Sequence, residues 1–288
     1  MKKSTRQKII PKLINHSSIY SLVRFSHRLY CKFTEPIHSN PSFLIIGVDK
    51  GGTSSLYDYL IQHPKIKSCV VKEPNYYAMY YDRGLSWYKS CFPISFGNPK
   101  FITGEASTQY YWYPYSAQRI YRDFPNIKLI MLLRNPIDRC YSHYNMNVGG
   151  SKENLSFEDA IEQEDKRIEP EIKKIKDDPN YFSPIYSLQA YRSKSKYIDL
   201  ISKWLEFFPK EQFLFLKSED FYHDPDKIYN QVLKFLDLPE YHLNNYGITR
   251  KGKYKKQMNS DTRENLKNFF EPFNQKLYHL LERDFKWS

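Results

Sequence analysis

The stretch FLIIGVDKGGTSSLYDYL, residues 43–60, most constrains the fold, because an apolar run passes there through a small-residue turn into a helical pattern. The run FLIIGV is typical of a parallel strand that is buried on both faces. The turn contains two adjacent glycines, one lysine and three hydroxyl side chains. Backbone N–H groups at a helix start favour a bound anion, and glycines let the backbone approach it. The stretch therefore predicts an anion-binding loop between a strand and a helix.

Strand-like and helical patterns alternate along the rest of the chain. The runs that predict further strands are IKSCVVKEP, PKFITGEAST, IKLIMLLRNP and QFLFLKSEDF. Alternation of this kind indicates an α/β fold, and we predict a P-loop-like, doubly wound parallel sheet flanked by helices. The chain has 288 residues, which suits a single domain. We place that domain at residues 41–288 and a basic N-terminal arm at residues 1–40.

The arm carries eight Lys and Arg residues and no Asp or Glu in its first 34 positions. Its segment IYSLVRFSHRLYCKF has the pattern of a basic amphipathic helix that lies on a membrane surface, and a disordered or domain-packed arm is the alternative. We find neither the roughly 18 apolar residues of a membrane-spanning helix nor the apolar core of a secretory signal. Four cysteines without CxxC spacing predict neither a disulfide framework nor a zinc site. We therefore expect a cytoplasmic protein, with peripheral membrane contact through residues 1–34 as an option.

The net charge of +12 favours an acidic partner, such as a nucleotide, an anionic lipid, an acidic polysaccharide or nucleic acid. A solvated basic surface without a partner is the alternative. A kinase or NTPase loop has its lysine after the last glycine, followed by a hydroxyl residue that holds magnesium. Here Lys50 precedes the glycine pair, and the strand KLIMLL ends in Arg134 rather than in an acidic metal ligand. The pattern thus favours a nucleotide that is bound by cations and hydroxyls without a metal.

These residues resemble the sulfotransferases that use 3′-phosphoadenosine 5′-phosphosulfate (PAPS). GVDKGGTSSL is similar to their 5′-phosphosulfate loop, and LRNPIDRCYSHY is similar to their 3′-phosphate segment. The resemblance runs from about Phe43 to the C-terminus, and it is nearest to the heparan sulfate N- and 3-O-sulfotransferases and their bacterial relatives. KEPNYY, GLSWYKSCFP and the terminal FKW resemble further segments of that branch, and TRKGKY resembles its late basic loop over the nucleotide.

The resemblance implies PAPS as co-substrate, adenosine 3′,5′-bisphosphate as product and no metal. It implies that Arg134 and Ser142 hold the 3′-phosphate. The residues implied at the rest of the nucleotide are Lys50, Gly51, Gly52, Thr53, Ser54, Ser55, Arg250, Lys251 and Gly252. The alternative for Lys50 is a lysine that merely flanks a turn. The alternative for Thr53, Ser54 and Ser55 is plain capping of the helix. A solvated loop is the alternative for Arg250 to Gly252.

Sulfuryl transfer is an in-line displacement in which positioning and charge stabilisation dominate. Lys50 is the candidate to stabilise the departing phosphate, and Glu73 is the candidate general base for an acceptor hydroxyl or amine. A salt bridge with a neighbouring lysine is the alternative for Glu73. Glu105, at the end of the third strand, is the rival carboxylate, and we place Glu105 and Asn75 on the acceptor side.

Two positions depart from the 3-O-sulfotransferase pattern, since Asn75 stands where that branch has histidine and Ala106 where it has lysine. The acceptor and the sulfated position therefore do not transfer, and we expect an acceptor molecule that is a glycan and not nucleic acid. The alternatives in other classes are a nucleotide-dependent kinase and a non-catalytic polyanion-binding module. The histidines His63 and His143 are structural candidates, and the tyrosine clusters fit either sugar stacking or the core.

Overall fold

The computed structural model describes residues 17–97, 100–247 and 257–287, with side chains from Phe25 onward. Five strands of the described residues form one sheet in the order β2-β3-β1-β4-β5, and every pairing is parallel. The strands are β1 (Phe43–Gly47), β2 (Ile66–Ser68), β3 (Ile102–Glu105), β4 (Lys128–Leu133) and β5 (Phe213–Lys217). The prediction of a doubly wound parallel sheet is confirmed.

Both faces of the sheet are covered, which explains the continuous apolar runs of β1 and β4. Along β1, Leu44 and Ile46 point into one hydrophobic cluster, whereas Phe43 and Ile45 point into a second cluster on the opposite face. Strand residues alternate between faces, so each face needs its own layer of helices. The two clusters form the core on either side of the sheet.

The helices make up these layers and extend beyond them. They are α1 (Ser17–Thr34), α2 (Thr53–Leu60), α3 (Tyr76–Met79), α4 (Leu85–Lys89), α5 (Ser116–Asp123), α6 (Pro136–Gly149), α7 (Phe157–Glu162), α8 (Glu164–Asp177), α9 (Pro184–Gln189), α10 (Tyr197–Leu205), α11 (Ser218–His223), α12 (Pro225–Phe235) and α13 (Ser260–Leu281). Helices α2 and α12 cover one face of the sheet, and α5, α10 and α13 cover the other.

The N-terminal segment is a helix from Ser17, and its last turns pack against α4. Cys31 is buried there, and its Sγ lies 3.5 Å from Ser90 Oγ. Glu35, just beyond the helix, forms an ion pair with Lys89. In the described part of the chain, no helix has the length and apolar character needed to cross a membrane. The division into an arm and a domain stays a prediction.

The second strand is shorter than the sequence suggests. IKSCVVKEP predicts a strand up to its proline, but β2 ends at Ser68, and Val70 and Val71 are exposed. Val70 N donates to Cys91 O (2.8 Å), which turns the chain away from the sheet. Glu73 therefore lies on a loop five residues beyond the strand rather than at its end.

Candidate functional site

The loops after β1, β3 and β4 meet at the carboxyl edge of the sheet, where parallel α/β folds bind ligands. The loop after β1, residues 48–52, is called the donor loop here. Lys50 adopts a left-handed backbone conformation with φ of 72°, which a lysine rarely takes. Arg134, just after β4, donates from Nη1 to Lys50 O (3.0 Å). The two segments predicted to hold the two ends of the nucleotide are therefore joined directly.

Each glycine of the donor loop is needed for a different reason. A Cβ on Gly51 would lie 2.6 Å from Leu132 O, so a side chain there would push the loop off strand β4. Ser218 Oγ also donates to Gly51 O (2.8 Å), which fixes the same peptide from the β5 side. Gly52 has φ of 100°, a conformation that favours glycine. The loop is thus pressed closely against the ends of β4 and β5.

Helix α2 begins directly after the donor loop with Gly52 as its N-cap, and a glycine has no side chain with which to cap it. Thr53, Ser54 and Ser55 follow the N-cap position rather than occupy it. Thr53 and Ser55 are buried and Ser54 is half-buried. An uncapped helix start next to a lysine is suited to an anion, because its first N–H groups have no intrahelical partner.

The segment after β4 is held by its neighbours. Asn135 caps α6 by accepting from Ile137 N (2.9 Å), and its own N–H donates to Glu219 Oε1 (2.8 Å). Tyr197 OH donates to Arg134 O (2.8 Å). Ser142 lies on α6 and is buried. Arg134 is half-buried.

Asp49 of the donor loop is the centre of a largely buried charge cluster. The other members of this cluster are Tyr111, Arg139, His143 and Lys194. Asp49 Oδ1 accepts from Tyr111 OH and from Arg139 Nη1 (3.1 Å), and Oδ2 accepts from Lys194 Nζ (3.1 Å). Burial alone would raise the pKa of Asp49, but Lys194 and Arg139 outweigh it and lower that pKa. Asp49 is therefore an ionised carboxylate at neutral pH.

The cations of this cluster come from other parts of the chain. Arg139 lies on α6 with no exposed side-chain surface, and Lys194 lies in the turn Ser193–Ser195 with almost none. Burial lowers the pKa of Lys194 to about 8, and Asp49 partly offsets this. Burial also lowers the pKa of His143, which makes it a neutral ring 3.7 Å from Asp49. With two cations for one carboxylate, the cluster is net positive.

Two carboxylates, Glu73 and Glu105, occupy adjacent segments at the opposite side of the cleft. Ala106 N donates to Lys72 O (3.2 Å), which joins the loop after β2 to the end of β3. Glu73 is half-buried, whereas Glu105 is completely buried and lies 3.3 Å from Tyr88 OH. Burial, with a smaller contribution from the charge of Glu73, raises the pKa of Glu105 to about 8, although hydrogen bonding from Ser107, Tyr110 and Tyr88 opposes the rise.

Asn75 stands two residues after Glu73 and fixes the backbone there. Its φ is 49°, its N–H donates to Ser107 Oγ (3.0 Å), and its side-chain amide donates to Glu73 O (3.3 Å). Its role toward an acceptor stays a prediction. Arg250, Lys251 and Gly252 lie outside the described residues.

The structure settles one alternative that the sequence left open, namely whether the tyrosine clusters belong to the core or to a sugar-stacking surface. Tyr76, Tyr77, Tyr110, Tyr111 and Tyr113 are buried in the core, so they do not form an exposed sugar-stacking surface. The structure also reveals a charged group that sequence reasoning missed, namely the charge cluster of Asp49. The sequence feature that could have indicated this cluster is Asp49 itself, an acidic residue in a loop that otherwise contains a lysine and small residues. Within the described residues, no group of three or more His, Cys, Asp or Glu side chains is placed to hold a metal ion.

Comparison with known proteins identifies relatives of this architecture. A family model described as "Sulfotransferase domain" matches residues 40–271. The membrane-associated sulfotransferase kil1 of Dictyostelium discoideum is 30% identical over 86% of this chain and 66% of its own length. Human heparan sulfate glucosamine 3-O-sulfotransferase 5 is also 30% identical, over 86% of this chain and 74% of its own length. The crystal structure of a sulfotransferase from Alicyclobacillus acidocaldarius superposes with a TM-score of 0.71 at 29% identity, covering 85% of this chain and 97% of that one.

Proposed function

The chain belongs to the sulfotransferase family, and from that premise we propose that it transfers the sulfuryl group of PAPS to a hydroxyl or amine of a carbohydrate acceptor. The family resemblance read from the sequence is confirmed, and so is the prediction of an enzyme. Membership of this family disfavours the two alternative functions, a nucleotide-dependent kinase and a non-catalytic polyanion-binding module. Adenosine 3′,5′-bisphosphate is the expected product.

The observation that carries the proposal is the link between the donor loop and Arg134. A donor with a 5′-phosphosulfate and a separate 3′-phosphate needs two anion sites at a fixed distance. The hydrogen bond from Arg134 to Lys50 O joins two segments 84 residues apart, and each segment supplies one cation. The start of α2, which has a glycine at its N-cap, is proposed to add backbone N–H donors at the first site.

Lys50 is the proposed group that stabilises the departing bisphosphate, because it is the cation on the donor loop itself. Thr53, Ser54 and Ser55 are proposed at the 5′-phosphate with Gly51 and Gly52. Charge-assisted hydrogen bonds are the stronger class, which suits both lysine and arginine to phosphate. Arg134 and Ser142 are proposed at the 3′-phosphate. The role of Arg250, Lys251 and Gly252 over the nucleotide remains a proposal that rests on the sequence.

Glu73 is the proposed general base that takes the proton of the attacking acceptor. It is half-buried on the loop after β2, next to the completely buried Glu105. A base in this position accepts the proton as the acceptor oxygen or nitrogen bonds to sulfur, while the S–O bond to the bisphosphate breaks. Asn75 and Glu105 are proposed on the acceptor side. The names of the heparan sulfate relatives support a carbohydrate acceptor.

The experiment that tests this function is transfer of the labelled sulfuryl group from PAPS to a panel of glycans and other hydroxyl acceptors. We expect a labelled glycan, release of the bisphosphate, and unchanged turnover after EDTA, because we propose that no metal takes part. Activity that EDTA abolishes and magnesium restores would contradict the metal-free proposal. Absence of transfer to every acceptor, in a protein that does not bind the bisphosphate either, would contradict the function itself.

A peripheral membrane contact through α1 is proposed in addition. Phe25, Leu29 and Phe33 follow one another at four-residue spacing on this helix, and each is exposed. Arg28 and Lys32 are exposed between them, and residues 1–34 contain no acidic residue. An exposed apolar row with flanking cations fits an anionic lipid surface. Cysteines without a disulfide framework predict a reducing compartment, which would place the contact on the cytoplasmic side of a membrane. All four cysteines are free in the structure, and the compartment stays a prediction.

Co-sedimentation with vesicles of phosphatidylcholine and phosphatidylserine tests this contact. Replacing Phe25, Leu29 and Phe33 together by serine removes the apolar row, and we expect vesicle binding to fall more than about tenfold, since each buried side chain contributes on the order of 1.5–3 kcal/mol. Ile185→Ser, at another exposed apolar position, is the control. Equal vesicle binding by both variants and the unaltered protein would contradict the contact.

A further inference from the structure

The charge cluster of Asp49 lies directly behind the donor loop, and its side chains have no contact role in the proposed chemistry. Asp49 is the residue immediately before Lys50. Its carboxylate receives hydrogen bonds from Tyr111 after β3, from Arg139 on α6 and from Lys194 in a distant turn. Three separate segments therefore hold one end of the loop through a single side chain.

Lys50 needs such support because its backbone is in an unfavourable region. A non-glycine residue with φ of 72° persists only where the surrounding contacts determine it. The contacts around it include the hydrogen bonds to the carboxylate of Asp49 on one side and the hydrogen bond from Arg134 to Lys50 O on the other.

The turn that carries Lys194 is itself held in place by a buried carboxylate. Glu164, completely buried at the start of α8, accepts from Arg192 N (2.7 Å) and from Ser193 N (2.8 Å). These two bonds hold the turn that carries Lys194. Lys194 Nζ is then shared between Asp49 Oδ2 and Ser187 O, both at 3.1 Å. Glu164 thus anchors the backbone next to Lys194, and Lys194 in turn binds the donor loop through Asp49.

A buried ion pair of this kind is a poor way to gain stability, because desolvation of the two charges offsets their attraction. Its presence behind a strained residue is better explained by geometry. We propose that Asp49 and Lys194 are positioning residues, which hold Lys50 in the left-handed conformation that aims its ammonium group at the sulfuryl donor. The proposal rests on the function proposed above. Neither residue touches donor or acceptor.

The test compares Asp49→Asn, Lys194→Met and the double variant. Asp49→Asn leaves Arg139 and Lys194 buried without a carboxylate, so we expect it to lower the melting temperature. Lys194→Met leaves Asp49 paired with Arg139 and should lower the melting temperature less. The double variant returns the cluster to an excess of one cation, as in the unaltered protein, so its melting temperature should recover from that of Asp49→Asn. If the pair positions Lys50, kcat should stay about 10²-fold low in the double variant, since small misplacements of a catalytic group have costs of that order. The KM for the acceptor should not change.

A structural role predicts a different result. Recovery of both the melting temperature and kcat in the double variant would overturn the proposal, and so would a folded Asp49→Asn with kcat and bisphosphate affinity within twofold of the unaltered protein. If Asp49→Asn does not fold, the double variant decides alone. Glu171→Gln is the matched control, because this buried carboxylate also has three donors, Lys174, Tyr181 and Ser183. It should lose stability but keep kcat.

The bisphosphate separates this inference from the proposed function. If the unaltered protein fails to bind adenosine 3′,5′-bisphosphate, the proposed function fails. If the unaltered protein binds it and transfers sulfuryl groups, and the double variant does so equally well, only the positioning role fails.

Discussion

The two carboxylates of the cleft, Glu73 and Glu105, differ in burial and in protonation. A general base must be ionised when the acceptor arrives. Glu105 is completely buried, and its pKa of about 8 leaves it largely protonated at neutral pH. Glu73 is half-buried on a loop and lies close enough to Glu105 to raise the pKa of that carboxyl. The structure therefore favours Glu73 for the base, and it favours Glu105 for a neutral hydrogen-bonding group.

Replacement of Glu73 by glutamine tests the role of the base. The amide keeps the shape of the side chain but cannot take a proton, so we expect kcat to fall by roughly 10²–10⁴. Affinity for the bisphosphate should be nearly unchanged, because the proposed nucleotide contacts lie on other residues. Glu105→Gln should lower kcat by a smaller factor than Glu73→Gln does. Near-normal turnover of Glu73→Gln beside an inactive Glu105→Gln would mean that the two roles are reversed.

Glu105 also predicts a dependence of stability on pH. The folded protein keeps its proton up to about pH 8, whereas the unfolded chain loses it near the ordinary value of 4.5. The unfolded state therefore binds fewer protons between these values, so the stabilisation present at low pH is lost as pH rises toward 8. The upper limit is about 1.4 kcal/mol per pH unit.

Urea unfolding of the unaltered protein and Glu105→Gln at pH 6 and pH 8 measures this effect. We expect the unaltered protein to lose more stability than the variant over that interval, because glutamine does not titrate. Parallel changes in the two proteins would show that the carboxyl is ionised in the fold already at pH 6.

At the level of single residues, the sequence predicts those that lie within one motif and misses those that depend on distant contacts. Lys50 and the two glycines are recognisable because strand, turn and helix follow one another locally. The role of Asp49 depends on Arg139 and Lys194, which lie 90 and 145 residues away along the chain. No local pattern distinguishes such an aspartate from a solvated one.

At the level of elements, the donor loop predicts a strong difference between two glycine substitutions. In Gly51→Ala the new Cβ would lie 2.6 Å from Leu132 O, a backbone atom that cannot move without disturbing β4. We expect a lower melting temperature and at least about tenfold weaker bisphosphate binding, since a displaced loop loses one or more charge-assisted contacts. Calorimetric titration measures the binding.

The control for this change is Gly149→Ala at the end of α6. Its Cβ would meet nothing within 4 Å, and alanine is favoured over glycine in a helix by roughly 0.5–1 kcal/mol. This variant should keep its affinity and at least its stability. Unchanged binding by Gly51→Ala would contradict the close packing of the loop.

Strands with continuous apolar runs are predicted well, whereas the length of the edge strand β2 is not. β1 and β4 match their patterns because burial on both faces demands an apolar residue at every position. IKSCVVKEP also has an apolar pattern, yet β2 stops at Ser68 because it is an edge strand with one neighbour, β3. Val70 and Val71 then satisfy no sheet pairing, and the sequence contains no sign of this.

At the scale of the whole molecule, the alternation of strands and helices predicts the α/β class but not the order of the strands. The order β2-β3-β1-β4-β5 places β1 in the centre, so that the segments after β3 and β4 flank the donor loop. This arrangement, rather than any single motif, brings Arg134 to Lys50 and Glu105 to the loop of Glu73. It depends on pairing between strands that are far apart in sequence.

The central claim is that one protein surface holds two separate phosphate groups of the same nucleotide. Titration of the unaltered protein with adenosine 3′,5′-bisphosphate and with AMP, which lacks the 3′-phosphate, tests it most directly. Each charge-assisted contact to the 3′-phosphate contributes on the order of 1.5–3 kcal/mol, which corresponds to about ten- to a hundredfold in affinity. The account predicts that the bisphosphate binds at least about tenfold more tightly and that Arg134→Ala abolishes this preference. Equal affinity for the two nucleotides would contradict it.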